Sequence, residues 1–148
     1  MKRINEYKKL FQVENDINLK ELKSTYRALV KEWHPDKFAA NHDLAVEAEA
    51  KSRQIIDGYH FLVSIAPETR AANLEEYTNT INTSGILDFK HKSQLLEITF
   101  LDGSTYEFFG VDKKLFSKLV NADTQMRFAK RNIFNSFLYR KSKKAVAA

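Results

Sequence analysis

The spacing of apolar residues changes character partway along the chain. In the first half it follows a helical period. Ile4, Tyr7, Leu10 and Phe11 predict a short helix from Ile4 to about Gln12. Leu22, Tyr26, Leu29 and Trp33 fall within about 60° of arc on a helix, so a second helix is predicted with one apolar stripe. Asn18 and Glu21 have the spacing of a capping box and mark its start, and Pro35 stops it after Trp33. A third helix is predicted from about Leu44 to Ala66, with Ala48, Ile55, Tyr59, Leu62 and Ala66 on one face. Pro67 closes it and can sit in the first turn of a short fourth helix, Glu68 to Tyr77.

Thr78 to Gly85 is polar and rich in turn formers, which predicts a linker at 78–85. Beyond it the period shortens to two. Ile86 to Lys92, Gln94 to Leu101 and Thr105 to Phe109 have strand composition. Two hairpin registers compete. A two-residue Asp102-Gly103 turn would pair Phe100 with Thr105 and Ile98 with Glu107. A three-residue Asp102-Gly103-Ser104 loop pairs Phe100 with Tyr106 and Ile98 with Phe108, giving one apolar and one polar face, and is favoured. Asp112 to Asn121 then reads as a helix capped by Asp112, and Gln125 to about Tyr139 as another, with Met126, Ala129, Ile133 and Phe137 in register. The expected class is α+β in two domains. Residues 1–77 form an all-α domain, and residues 86–148 a small antiparallel β-sheet followed by two helices and a basic tail.

Composition narrows the function classes. Hydrophobic residues make up 43% and charged residues 29% of the 148, a globular rather than disordered balance. The absence of cysteine excludes disulfides and thiolate metal sites. No apolar run is long enough to span a bilayer and no signal-peptide stretch follows Met1, so a cytoplasmic location is expected. Charge is uneven. Residues 1–77 are close to neutral at −1, whereas residues 78–148 carry +6 of the chain's net +5. After Asp123 there is no acidic residue, while Arg127, Lys130, Arg131, Arg140, Lys141, Lys143 and Lys144 follow. Two readings stand side by side: a module with an anionic partner, or a solvated basic tail.

The second helix carries a further pattern. Lys20, Lys23, Arg27 and Lys31 share about 80° of arc, away from the apolar stripe. Such a ridge is ordinarily a solvated face, but it can also steer docking on an acidic surface. What tips the balance is His34-Pro35-Asp36 directly after it, a tripeptide found by chance in about 1% of chains this long.

The joint pattern resembles the J domain. Its other carriers are Tyr26 and Leu29 before the tripeptide, Tyr59 and Leu62 in the third helix, and Leu10 and Val13 before the second. The resemblance covers about half the chain. It implies an antiparallel helical hairpin with short flanking helices, and a co-chaperone that binds a DnaK-type heat-shock chaperone and stimulates its ATP hydrolysis. Lys20, Lys23, Arg27, Lys31, His34, Pro35 and Asp36 are the partner contacts it implies. This sequence departs from the common pattern at Ser24 and Ala28, where many J domains carry basic residues, at Ser52, where Phe is frequent, and at Trp33, where Tyr is usual. There is no Gly/Phe-rich linker and no zinc region, so client recognition is expected in the second half.

That second half, from about Ser84 to Tyr139, is similar to the KTSC domain, a module also found at the C-terminus of some lysyl-tRNA synthetases. The similarity rests on the hairpin, Tyr106-Glu107-Phe108 with Gly110-Val111 after it, the short helix ending Asn121-Ala122, and Arg127-Phe128 through Asn132-Ile133. It implies RNA as a partner. Arg127, Lys130, Arg131 and Arg140 are candidates for phosphate contacts, and Tyr106, Phe108, Phe128 and Tyr139 for base stacking. Against that, alternating aromatics in a strand normally pack in a core, and Tyr106 and Phe108 weigh toward the core.

Two other classes remain. An RNA-binding protein could use the first domain as a scaffold, and ATPase stimulation separates that reading from the co-chaperone. An enzyme could use His34 as a base oriented by Asp36. However, the intervening Pro35 fixes no productive geometry, and no nucleophile is identifiable. His42, His60 and His91 lack metal-ligand spacing, and neither metal nor cofactor is expected.

Overall fold

The computed structural model describes residues 2–14 and 16–142. It divides into two compact units, Lys2–Thr69 and the stretch from Arg70 onward. The first unit is all helical, with α1 (Lys2–Leu10), α2 (Leu19–Trp33), a 3-10 turn (Pro35–Phe38) and α3 (His42–Ile65). The Asn18 side chain accepts from the Glu21 N–H at 3.1 Å, and Asn41 does the same for Leu44 at 3.2 Å, so both long helices start on side-chain caps. Helices α2 and α3 form the antiparallel hairpin, and α1 packs on α3.

The two ends of this hairpin differ. At one end Ile4, Phe11, Ile55, Phe61, Leu62 and Ile65 are buried. Helix α1 comes so close there that a Cβ on Gly58 would lie 2.7 Å from Tyr7 Cδ1 and 3.1 Å from Phe11 Cε2. Near the turn, Ala48 is fully buried, whereas Leu29, Val30, Trp33, Phe38 and Ser52 are half-buried and Leu44 and Val46 exposed.

Helix α4 (Pro67–Ala72) spans the division between units, and α5 (Leu74–Thr83) follows Asn73. The linker expected at 78–85 is therefore helical through Thr83. Tyr77, Thr80 and Ile81, spaced for one helix face, are buried, and the Thr83 hydroxyl donates to the Asn79 carbonyl at 2.7 Å. Helix α5 is fastened to its own unit. The Tyr77 hydroxyl donates to the Phe134 carbonyl at 2.7 Å, and its ring stacks on Tyr139 with centroids 3.8 Å apart. The Thr80 hydroxyl donates to Asp102 at 3.0 Å, and Glu76 pairs with Lys141.

The sheet has order β1-β2-β3-β4, all antiparallel, from β1 (Ile86–Lys92), β2 (Leu95–Phe100), β3 (Thr105–Phe109) and β4 (Leu138–Lys141). The β2–β3 loop has three residues, as expected, but they are Leu101-Asp102-Gly103. Phe100 N–H donates to Ser104 O, and the opposed pairs are Ile98 with Tyr106 and Leu96 with Phe108, one step along from the expected register. This choice puts Gly103, with φ +92°, at the left-handed position, which Ser104 would otherwise have to adopt. Asp102 accepts from the Ser104 N–H at 2.9 Å and from its hydroxyl at 2.6 Å. Burial pushes the Asp102 carboxyl up, but the bonds from Ser104 and Thr80 together outweigh it and hold the group below its ordinary value.

Helix α6 (Lys113–Val120), capped by Asp112, and α7 (Gln125–Asn132) complete the unit. The helix expected to reach Tyr139 ends at Asn132, because Ile133 and Phe134 turn into the core and Leu138–Lys141 pairs with β3. The core joins Tyr77 and Ile81 to Leu96, Ile98, Phe100, Tyr106, Phe108, Val111, Leu119, Ala129, Ile133 and Phe134. The strand registers also align a charged row, Lys90, Glu97, Glu107 and Arg140, across all four strands. On β1 the register slips between Ile86 and Asp88, and the Asp88 carboxylate accepts from the N–H of Phe89 at 2.9 Å.

Candidate partner-binding surface

Helix α2 ends at Trp33 because Pro35 forces His34 out of helical geometry, to φ −62° and ψ 129°. The next residues tighten at once into the 3-10 turn. The Lys37 N–H donates to the His34 carbonyl at 3.0 Å, and the Asp36 N–H donates to His34 Nδ1 at 3.3 Å. His34 Nδ1 thus faces both the backbone N–H of Asp36 and, at 3.5 Å, its carboxylate. The His34 and Asp36 side chains are 52% and 91% exposed.

The ridge expected on α2 is formed. Lys20, Lys23, Arg27 and Lys31 are all exposed, and none pairs with an acidic side chain among the described residues. Between the ridge and the turn lies a shallow, mainly apolar groove of about 440 Å³, lined by Tyr26, Arg27, Val30, Lys31, His34 and Lys37. Val30 and Lys37 escaped the sequence reading, and Tyr26 was assigned to the core stripe. The available signal was the doublet Leu29-Val30, which makes the apolar stripe too wide for all of it to be buried. The surface thus offers a cationic rim, an apolar floor, an exposed imidazole and the exposed Asp36 carboxylate, whose Oδ2 lies 3.5 Å from His34 Nδ1. It can dock an acidic surface that carries an apolar side chain.

The RNA candidates of the second unit do not come together. Tyr106 is 2% and Phe108 0% exposed, both within the core, so neither offers a ring face to a base. Arg140 is held at 3.0 Å by Glu107, its side chain 16% exposed. Tyr139 is covered on one face by Tyr77. Desolvation pushes the Tyr77 hydroxyl far up and the Tyr106 hydroxyl up to about 12, as befits core tyrosines. Arg127, Lys130 and Arg131 are exposed on α7, and Lys113, Lys114 and Lys118, missed from sequence, are exposed on α6. Lys143 and Lys144 lie outside the described residues. Among the described residues no group of three or more His, Asp or Glu could hold a metal ion, and no helix is long and apolar enough to cross a membrane.

Comparison with known proteins matches residues 6–72 to the DnaJ domain and residues 84–137 to the KTSC domain. Similar curated proteins include the chaperone protein DnaJ of Thermosipho africanus, 35% identical over 66 residues, and that of Thermotoga maritima, 36% identical over 66 residues. In both, the match covers 45% of this chain and 16% of the relative. The tetratricopeptide repeat and J domain-containing co-chaperone DNJ1 of Fusarium oxysporum is 41% identical over 66 residues, covering 45% of this chain and 12% of that protein. The match thus spans about one sixth or less of these relatives' length.

Proposed function

We propose, for a chain that carries a DnaJ domain ahead of a KTSC domain, that it is a co-chaperone acting on a DnaK-type ATPase in the cytoplasm. The observation that carries this reading is His34-Pro35-Asp36, held exposed in a tight turn directly after the cationic ridge of α2. Lys20, Lys23, Arg27 and Lys31 steer an acidic face of the partner onto α2. Tyr26 and Val30 receive an apolar side chain, and Asp36 accepts a charge-assisted bond from a partner cation. The bond broken is in the partner's ATP; this chain supplies contacts and no catalytic group.

The test is steady-state ATP hydrolysis by a DnaK-type chaperone with this protein added. Wild type stimulates it, and Asp36→Asn and His34→Gln abolish stimulation while the circular dichroism spectrum stays unchanged. Full stimulation by both variants overturns the reading.

For the second unit we propose targeting through an anionic partner, RNA in the first instance. Favouring this is the exposed trio Arg127, Lys130 and Arg131 on α7, in a stretch with no acid after Asp123. With Tyr106 and Phe108 buried and Phe128 and Tyr139 half-buried, contact is to phosphates more than to bases. Neutralising about three phosphates of a single strand gives a slope near −2 for log affinity against log salt. Fluorescence anisotropy of labelled RNA should show that slope and lose it when the trio is changed to Gln. Absence of binding at low salt leaves the unit to recognise a protein client.

A further inference from the structure

We propose that Lys51 of α3 is a positioning residue that fastens the His34–Asp36 turn to the hairpin through Trp33. The inference rests on the co-chaperone reading for its functional meaning but not for its physical test.

The 3-10 turn is fixed internally by the Lys37-to-His34 and Asp36-to-His34 bonds, with Asn41 N–H donating to Phe38 O at 3.0 Å after it. Such a piece can still move as a body unless something ties it to the helices. Deep packing does not do so, because around the turn Ala48 is the fully buried apolar residue and the remaining side chains are half-buried or exposed. Besides the direct packing of the turn on α3, a side-chain tie is made by Trp33. Its ring stacks on Phe38 at the far end of the turn, centroids 6.2 Å apart, and the Lys51 ammonium lies over it at 5.7 Å from the centroid. That distance is within cation–π range.

On α3, Lys51 and Ser52 flank the line from Ala48 to Ile55. Ser52 has little volume to set against α2. Half-buried Lys51 does the covering with its methylene stem and leaves its charge on the indole. It pairs with no described acid; the neighbouring ion pair on α3 is Arg53 with Glu49. Lys51 therefore serves as a fastener, where the cations of α2 serve as docking charges.

Trp33 is the chain's single tryptophan, so its fluorescence reports the contact directly. Lys51→Met keeps the stem and removes the charge. It should shift Trp33 emission and speed amide exchange at Lys37 in the protein alone. In the ATPase assay it should raise the concentration for half-maximal stimulation about two- to fivefold, leaving the maximum unchanged. Lys51→Arg should retain all three properties. In a Trp33→Leu background Lys51→Met should add nothing. Unchanged emission and exchange in Lys51→Met would overturn the proposal. So would an equal ATPase effect with and without Trp33, since Lys51 would then meet the partner directly. If the wild type fails to stimulate, the co-chaperone reading falls, while emission and exchange still decide whether the fastener exists.

Discussion

The unit from Lys2 to Thr69 and the one after it invert each other's use of aromatic and charged residues. In the first, the cations Lys20, Lys23, Arg27 and Lys31 pair with no acid among the described residues, and Tyr26 and Trp33 are half-buried beside them. In the second, Tyr77, Tyr106 and Phe108 lie buried in the core, and Glu107 with Arg140 is drawn down onto the sheet. A helix presents every side of its surface, so one face can pack while another stays available. A central strand such as β3, flanked by β2 and β4, surrenders its side chains to packing. Residue type alone therefore did not separate exposed surface from core; the element carrying the residue did.

The strongest test of that contrast is Phe108→Ala. Removing a fully buried aromatic should cost the second unit about 3–5 kcal/mol, read as lost cooperativity in urea denaturation followed by circular dichroism. Trp33 emission should keep its wild-type midpoint; a parallel loss would break the contrast by making the units one folding body. Gly58→Ala probes the other side. With Tyr7 Cδ1 at 2.7 Å, the added methyl should destabilise the first unit by about 1–3 kcal/mol, seen in the Trp33 transition. An unchanged midpoint would mean that α1 can shift freely.

The gentlest effect is with pH. Folding holds Tyr77 and Tyr106 protonated above the ordinary phenol value of 10.0, Tyr106 up to about 12. Their contribution is complete below pH 10 and is lost as pH rises through the folded value. Thermal melts between pH 10 and 12 should therefore show the second unit losing stability first. A flat profile would place those hydroxyls in contact with water.

Much of the hairpin was legible because its signals are local. Asn18 bonds the N–H three residues on, and Pro35 acts on the residue before it. What escaped depended on distant partners. Leu138–Lys141 is only four residues long and continues the helical spacing of Phe137, and nothing nearby says that Phe109 will sit opposite Leu138. In α5, Thr and Asn at five of ten positions hid Tyr77 and Ile81, an apolar pair four apart that marked a buried face. The hairpin parity was readable, yet its register turned on which residue would take a left-handed conformation, and Gly103 was the cue. In the candidate site the ridge and tripeptide were readable. The groove was not, because its floor is the leftover margin of a stripe that also packs.

Strand β1 carries one more consequence. As one of the sheet's two terminal strands, with β4 the other, it is where another chain could add itself by backbone pairing. The slip at Ile86/Asp88 bends that border, Asp88 already occupies the N–H of Phe89, and Lys90 and Lys92 bring charge to the approach. For a protein proposed to work among unfolded chains, themselves rich in exposed strands, this edge of the sheet is thereby a poor template for their pairing.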